Sequence, residues 1–199
     1  MDRFPAALAL LLSVEGGVST ARTDTASSVV APGRPHTNLG ISLKAVRQYD
    51  ADGHLPDWLR VKLDANSDGI LDDKDVPGWT PQIAADFYRI FYWYPAKCDI
   101  LPWPLANLVF DICVNAGKLQ AIKILQRSSG VEADGVVGPE TLAAVARLKD
   151  QTRILVEFTA QRLDFYRQLS TADANFLGWS RRSVERLAGA LEEARSLKS

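Results

Sequence analysis

The sequence predicts a mainly α-helical protein in which a smaller irregular lobe, with room for short strands, stands beside a larger helical one. Three observations predict this. In the second half apolar residues recur at helical spacing between glycine-containing turns; residues 18–40 are rich in Ser, Thr, Gly and Pro instead; and no internal repeat or low-complexity tract breaks either half. At 199 residues the chain suits one domain of one or two lobes, large enough to bury a core without metal or disulfide staples. Hydrophobic and charged fractions of 47% and 24% are globular values and exclude a disordered or fibrous chain.

The first element is "FPAALALLLSV", residues 4–14, an apolar run that predicts an amphipathic helix with Glu15 at its last turn and Gly16 and Gly17 turning the chain away. Arg3 ahead of the run also fits the charged start of a secretory signal, but the run falls short of the ~20 residues that span a bilayer. We read it as a helix of the mature protein. Short strands are expected near "TNLGIS" at 37–42, then short helices over 42–49 and 54–63, the second introduced by "HLPDW". Thr80 suits an N-cap and Pro81 the first helical position of "PQIAADFYRIFYWY", which Pro95 stops. Helices are predicted over 104–116, 118–128, 139–149, 151–170 and 181–197; Pro139 behind Gly138 starts the third of these, and "DG" at 134–135 marks the turn before it.

Net charge is −1, with 10 basic and 13 acidic side chains in residues 1–100 and 13 and 11 in residues 101–199. Such a balance does not attract nucleic acid. The cationic tilt of the second half is either a solvated helical surface or an aid in meeting an anionic polymer such as cell-wall glycan. Cys98 and Cys113 are too few for a disulfide framework and lack metal-site spacing, so they read as buried thiols, with a single bridge open outside the cytoplasm.

Within the first half lies "DANSDGILDDKD", residues 64–75, which follows the calcium-loop pattern. Asp64, Asn66 and Asp68 alternate as oxygen donors, Gly69 permits the sharp turn, Ile70 offers its carbonyl, Asp72 acts directly or through water, and Asp75 closes the loop where Glu is usual. Leu71 anchors the loop on its own core. Pro77 follows at once and leaves no room for the long exit helix of a paired sensor, so structural Ca²⁺ in an isolated EF-hand-like clip is expected. A solvated acidic turn is the alternative.

Glu15 has a chemical reading of its own. At the C-terminal end of an apolar helix, the helix dipole and a dry setting both favour the protonated acid, which is what a glycosidase general acid needs. An exposed glutamate at a helix end is nonetheless ordinary, and other segments decide.

Those segments are "VEGG" (14–17), "TNLGIS" (37–42), "FYWY" (91–94), "CDILPWPLANLVFDICVNAG" (98–117), "LQRSSGVEADGVVGPET" (126–141) and "GW" with "RR" (178–182). In this order they resemble glycoside hydrolase family 108, lysozyme-like N-acetylmuramidases of phages and prophages whose second half is called a predicted peptidoglycan-binding domain. The resemblance runs from about residue 4 to about residue 190. It implies a single lysozyme-like domain, with a catalytic part at 1–103 and a helical peptidoglycan-binding-like lobe at 104–199.

It also implies an endolysin that hydrolyses the bond between N-acetylmuramic acid and N-acetylglucosamine, with Glu15 as general acid and Thr37 orienting the attacking water. The family commonly places Asp before "PGG" and then "PTN"; here "APGRPHTN" (31–38) departs at Ala31 and Arg34. Asp24, the only other acid between Glu15 and Thr37, is the candidate second carboxylate, with a turn or cap role as its alternative; His36 is a third option or an exposed loop histidine. Asn38, Tyr92, Trp93 and Asn115 are the expected sugar contacts, although core packing explains the aromatic cluster equally well. Asp111 lies one helical turn from Asn115, which we prefer because it stands beside Gly117.

Peptidoglycan strands are the expected partner of a monomer that has no stable membrane anchor. Synthesis in the bacterial host cytoplasm and action on the wall after holin-type release are the expected route. A non-catalytic wall-binding or secretion-accessory protein of the same fold, or a calcium-dependent structural module, are the alternatives.

Overall fold

Apolar residues one helical turn apart give residues 4–12 a single buried face: Phe4, Ala7, Leu8 and Leu11 line the inner side of α1 (Phe4–Leu12). The computed structural model describes residues 2–13, 34–148 and 151–197. They fall into two compact units, Phe4–Ile90 and Met1–Arg3 with Phe91–Ser199.

In the first unit, α1 is followed by a hairpin of β1 (Thr37–Asn38) and β2 (Ile41–Ser42), then by α2 (Leu43–Ala51), α3 (Asp57–Leu63), a 3₁₀ turn at Val76–Gly78 and α4 (Pro81–Tyr88). The local chemistry is that of the sequence. The Ser42 hydroxyl accepts from Ala45 N and caps α2, and Thr80 caps α4 by accepting from Ile83 N, with Pro81 at the first helical position. Leu43, Val46, Leu59, Leu63, Val76, Ala84, Phe87 and Tyr88 make the core. The helix expected to run to Pro95 does not keep its period: after α4 it widens into a π-helical turn at Arg89–Trp93.

In the second unit α5 (Leu105–Ala116) is buried on every side from Leu105 to Cys113, and α6 (Lys118–Ser129), α7 (Pro139–Arg147), α8 (Gln151–Arg167) and α9 (Ala172–Ser196) pack around it. The predicted segments 104–116, 118–128, 139–149 and 151–170 match α5 to α8 within three residues at each end. The last one does not: α9 starts at Ala172, nine residues before the expected 181, because Gly178 lies within the helix rather than in a turn. Close packing of α8 on α9, with Tyr166 and Trp179 ring centroids 4.9 Å apart, outweighs the cost of glycine there.

The turn before α7 is organised by Gln126. Its amide nitrogen lies 2.6 Å from Asp134 Oδ1, 3.0 Å from the Val136 carbonyl and 3.2 Å from Thr141 Oγ1, and its oxygen accepts from Gly135 N at 2.8 Å. Gly135 is required there twice over, by a φ of +82° and because a Cβ would collide with Leu119. Cys98 and Cys113 are free and buried. Burial pushes the Cys98 thiol well above its ordinary value and the Cys113 thiol up to about 12.

At the centre of this unit, one carboxylate meets three guanidiniums. Asp111 on α5 lies 2.7 Å from Arg162 on α8, 2.8 Å from Arg182 on α9 and 3.3 Å from Arg186 on α9. Burial opposes its charge, but the three cations outweigh burial and hold Asp111 below the usual carboxylate range. A depressed carboxylate contributes stability that is present above its unfolded-state value of ~3.9 and is lost as pH falls through the lower folded-state value. Asp111→Asn should therefore lower the unfolding free energy at neutral pH by ~3–5 kcal/mol, since it leaves the buried Arg162 guanidinium without its counter-charge. Urea titration at neutral pH and at pH ~3 checks this: the deficit should shrink in acid.

Candidate active site

Residues 37–42 form a tight hairpin because Leu39 and Gly40 both take left-handed backbone, with φ of 51° and 75°, as a two-residue mirror-image turn requires. Thr37 pairs with Ser42 and Asn38 with Ile41. Strand alternation then turns Asn38 and Ile41 inward and leaves Thr37 and Ser42 half-buried on the other face. His36 is buried rather than exposed. Its Nδ1 lies 3.0 Å from Thr37 Oγ1, and its carbonyl accepts from Leu43 N at 2.8 Å. Thr37 is thus held by a neighbour the sequence left as a loop residue.

Asn38, expected to touch sugar, has a different task. Its amide nitrogen donates to the carbonyls of Val76 at 2.9 Å and Trp79 at 3.1 Å, which uses both of its hydrogens. Trp79 is fixed in turn by its indole N–H on the Leu63 carbonyl at 2.9 Å, and Tyr88 Oη donates to the Leu39 carbonyl at 3.0 Å. The hairpin is therefore bolted to the segment that leaves the acidic loop.

That loop, residues 64–75, is folded by its own acids. Asp64 accepts from Asp68 N and Gly69 N at 3.1 and 2.8 Å; Asp75, fully buried, accepts from Asn66 N and Asp72 N at 3.2 and 2.8 Å; Asp68 accepts from Ile70 N at 2.9 Å. Gly69 has φ +83°, Leu71 is buried and Ile70 is exposed, each as the calcium-loop pattern requires. Lys74 Nζ stands 3.3 Å from Asp72 and 3.8 Å from Asp68. The Lys74 main-chain N–H and its ammonium hold Asp72 below the usual carboxylate range. Among the described residues no three His, Cys, Asp or Glu side chains converge as a metal-holding group. Arg47 and Arg60 donate to the Leu71 and Gly69 carbonyls at 2.8 and 3.0 Å, tying the loop to α2 and α3.

In the second unit Trp93 is not offered to a sugar: it is 2% exposed and meets Phe110 edge to face at 5.5 Å. Tyr92 is half-buried. Asn115 is exposed on the last turn of α5, with its amide nitrogen 2.6 Å from the Asp111 carbonyl. Asp111, set aside in favour of Asn115, is the structural hub of the unit. Exposed aromatic groups that the sequence reading passed over are Tyr94, and Trp58 with the Lys62 ammonium 4.9 Å over its ring. Glu15 and Asp24 lie outside the described residues.

Removing the donors of Asn38 tests the bolt. Asn38→Asp should cost ~1–3 kcal/mol, because two buried carbonyls would then face a carboxylate with no hydrogen to give. A thermal or urea midpoint equal to that of the parent would assign the hairpin's position to other contacts.

The family model "Glycosyl hydrolase 108" matches residues 8–117, and the model "Predicted Peptidoglycan domain" matches residues 120–184. No curated protein matches the chain significantly. Among solved structures, that of Brucella abortus SagA superposes with a TM-score of 0.75 at 28% identity, covering 96% of this chain and 95% of that one. Among the described residues no helix is long and apolar enough to cross a membrane. With more than half of its length matched by one family model, the chain belongs to glycosyl hydrolase family 108 and is a glycoside hydrolase that joins a catalytic part to a peptidoglycan domain.

Proposed function

We propose that the protein is an N-acetylmuramidase that hydrolyses the bond between N-acetylmuramic acid and N-acetylglucosamine in peptidoglycan and so lyses bacterial cells. The observation that carries this reading is the family match over residues 8–117, which spans Glu15, Asp24 and Thr37. Glu15 donates its proton to the leaving glycosidic oxygen; a carboxylic acid kept neutral by its surroundings can do this near neutral pH. Thr37, half-buried beside His36, has a hydroxyl that can both accept from and donate to an attacking water. Asp24 is the second carboxylate, taking that water's proton. Tyr92 and Asn115 add a ring and an amide for the sugars; Asn38 and Trp93 act through the scaffold instead. The enzyme works as a monomer and reaches the wall from the host cytoplasm after holin-type release.

Glu15→Gln keeps the shape of the side chain and removes the acid. It should abolish clearing of outer-membrane-permeabilised cells and leave the far-UV spectrum unchanged. A Gln variant that lyses as fast as the parent would transfer the acid role elsewhere, and an inactive parent would favour the wall-binding or secretion-accessory role.

We further propose that the loop takes up one Ca²⁺ through Asp64, Asn66, Asp68, the Ile70 carbonyl, Asp72 and Asp75, with Lys74 swinging out. The support is the donor alternation and the Gly69 backbone. The ion would neutralise the loop's acids and stiffen the segment behind Asn38, with no part in bond cleavage. Chelator should lower the thermal midpoint and calcium restore it; an identical midpoint under both conditions would assign the loop to Lys74 alone.

A further inference from the structure

On one side of the helical unit, α6 and α8 enclose a groove of about 510 Å³ lined by Gln120, Arg127, Gln161, Asp164, Phe165 and Gln168, with Leu169 at its end. Helix geometry builds it. Gln120 and Arg127 are seven residues apart on α6, and Gln161, Asp164, Phe165 and Gln168 follow one another at helical-turn spacing along α8 and just past its end, so each set lies along one face. The inward stripe of α8, with Phe158, Arg162 and Tyr166, is buried, which fixes the direction in which the groove face points.

The charge of the groove is simple. Asp164 is neutralised at its rim by Arg167 at 2.9 Å and accepts from Gln168 Nε2 at 2.7 Å. Arg127 is exposed and has no ion pair or side-chain hydrogen bond among the described residues, and Gln120 has none either. One uncompensated guanidinium therefore stands among carboxamides that donate and accept, over a half-buried Phe165 ring and Leu169.

We propose that this groove binds the stem peptides of peptidoglycan. Such a peptide offers what the groove lacks: a free carboxylate for the fork of Arg127, main-chain amides for Gln120 and for the carboxamide oxygens of Gln161 and Gln168, whose nitrogens donate to Glu157 and Asp164, and small methyl side chains for Phe165 and Leu169. A single cation is too little for a polyanion such as nucleic acid. Phe165 is half-buried and packs at a tilt on Tyr166, with ring centroids 5.6 Å apart, so only part of its ring is left for a ligand. This inference rests on the peptidoglycan reading and adds to it a second, non-catalytic contact that recognises peptide rather than glycan.

The test uses the full chain and two soluble probes, the N-acetylglucosaminyl-N-acetylmuramyl disaccharide with and without its tetrapeptide, alongside isolated sacculi. Calorimetric titration should show at least tenfold tighter binding of the peptide-bearing probe than of the peptide-free disaccharide, which engages the catalytic part alone. Arg127→Gln should weaken binding of the peptide-bearing probe at least tenfold with the thermal midpoint unchanged, whereas Lys123→Gln, on the same helix outside the groove, should not. Equal affinity for the peptide-free sugar, or an Arg127→Gln variant that binds as the parent does, overturns the groove and leaves the muramidase reading standing. Failure of the parent to bind intact sacculi overturns both.

Discussion

The helical unit depends on one buried ion cluster. Asp111 on α5 is the carboxylate around which Arg162 of α8 and Arg182 and Arg186 of α9 are placed. A carboxylate that far from water is stable only with cations, and the equally buried Arg162 guanidinium needs it in turn, while the half-buried Arg182 and Arg186 add charge from α9, so the positions of three helices are coupled through one side chain. What faces outward follows from what faces inward. Because Arg162 points to Asp111, its neighbours Gln161 and Phe165 on α8 line the groove that flanks this buried face. Tyr166 Oη, 3.1 Å from the Arg162 guanidinium, completes the inner side.

The other unit solves a similar problem with neutral groups. A two-residue turn makes a hairpin with too few main-chain bonds to stand by itself. Asn38 supplies the missing connections by holding the Val76 and Trp79 carbonyls, and the acidic loop sets where those carbonyls are. The loop therefore influences Thr37 from a distance, through a short series of hydrogen bonds that begins with its own carboxylates and ends at β1. Its contribution to the site is positional, whatever cation balances its charge.

Much of this architecture was legible in the chain. Helix starts at Ser42, Thr80, Pro81 and Pro139 follow from capping chemistry, and the inward Leu71 follows from the loop motif. Local rules failed where tertiary packing overrode them. Gly178 reads as a turn and is helix, because α9 gains its stability from α8 rather than from its own propensity. The run after Tyr88 reads as one helix and widens into a π turn, a change that no periodicity signals. Asn38 and Trp93 look like surface contacts for sugar, and only a three-dimensional partner list shows that carbonyls and Phe110 occupy them. Asp111 and Gln126 were silent for the same reason: a buried polar residue is identified by what surrounds it, and its surroundings come from helices and turns far away in sequence or differently oriented in space.

The two free thiols bear on the redox chemistry of the folded chain. Thiol–disulfide exchange needs an accessible thiolate, and both Cys98 and Cys113 are buried with their ionisation suppressed. In the folded protein, exchange with an external disulfide is therefore suppressed at both thiols, and their reactivity should show only when the helical unit opens.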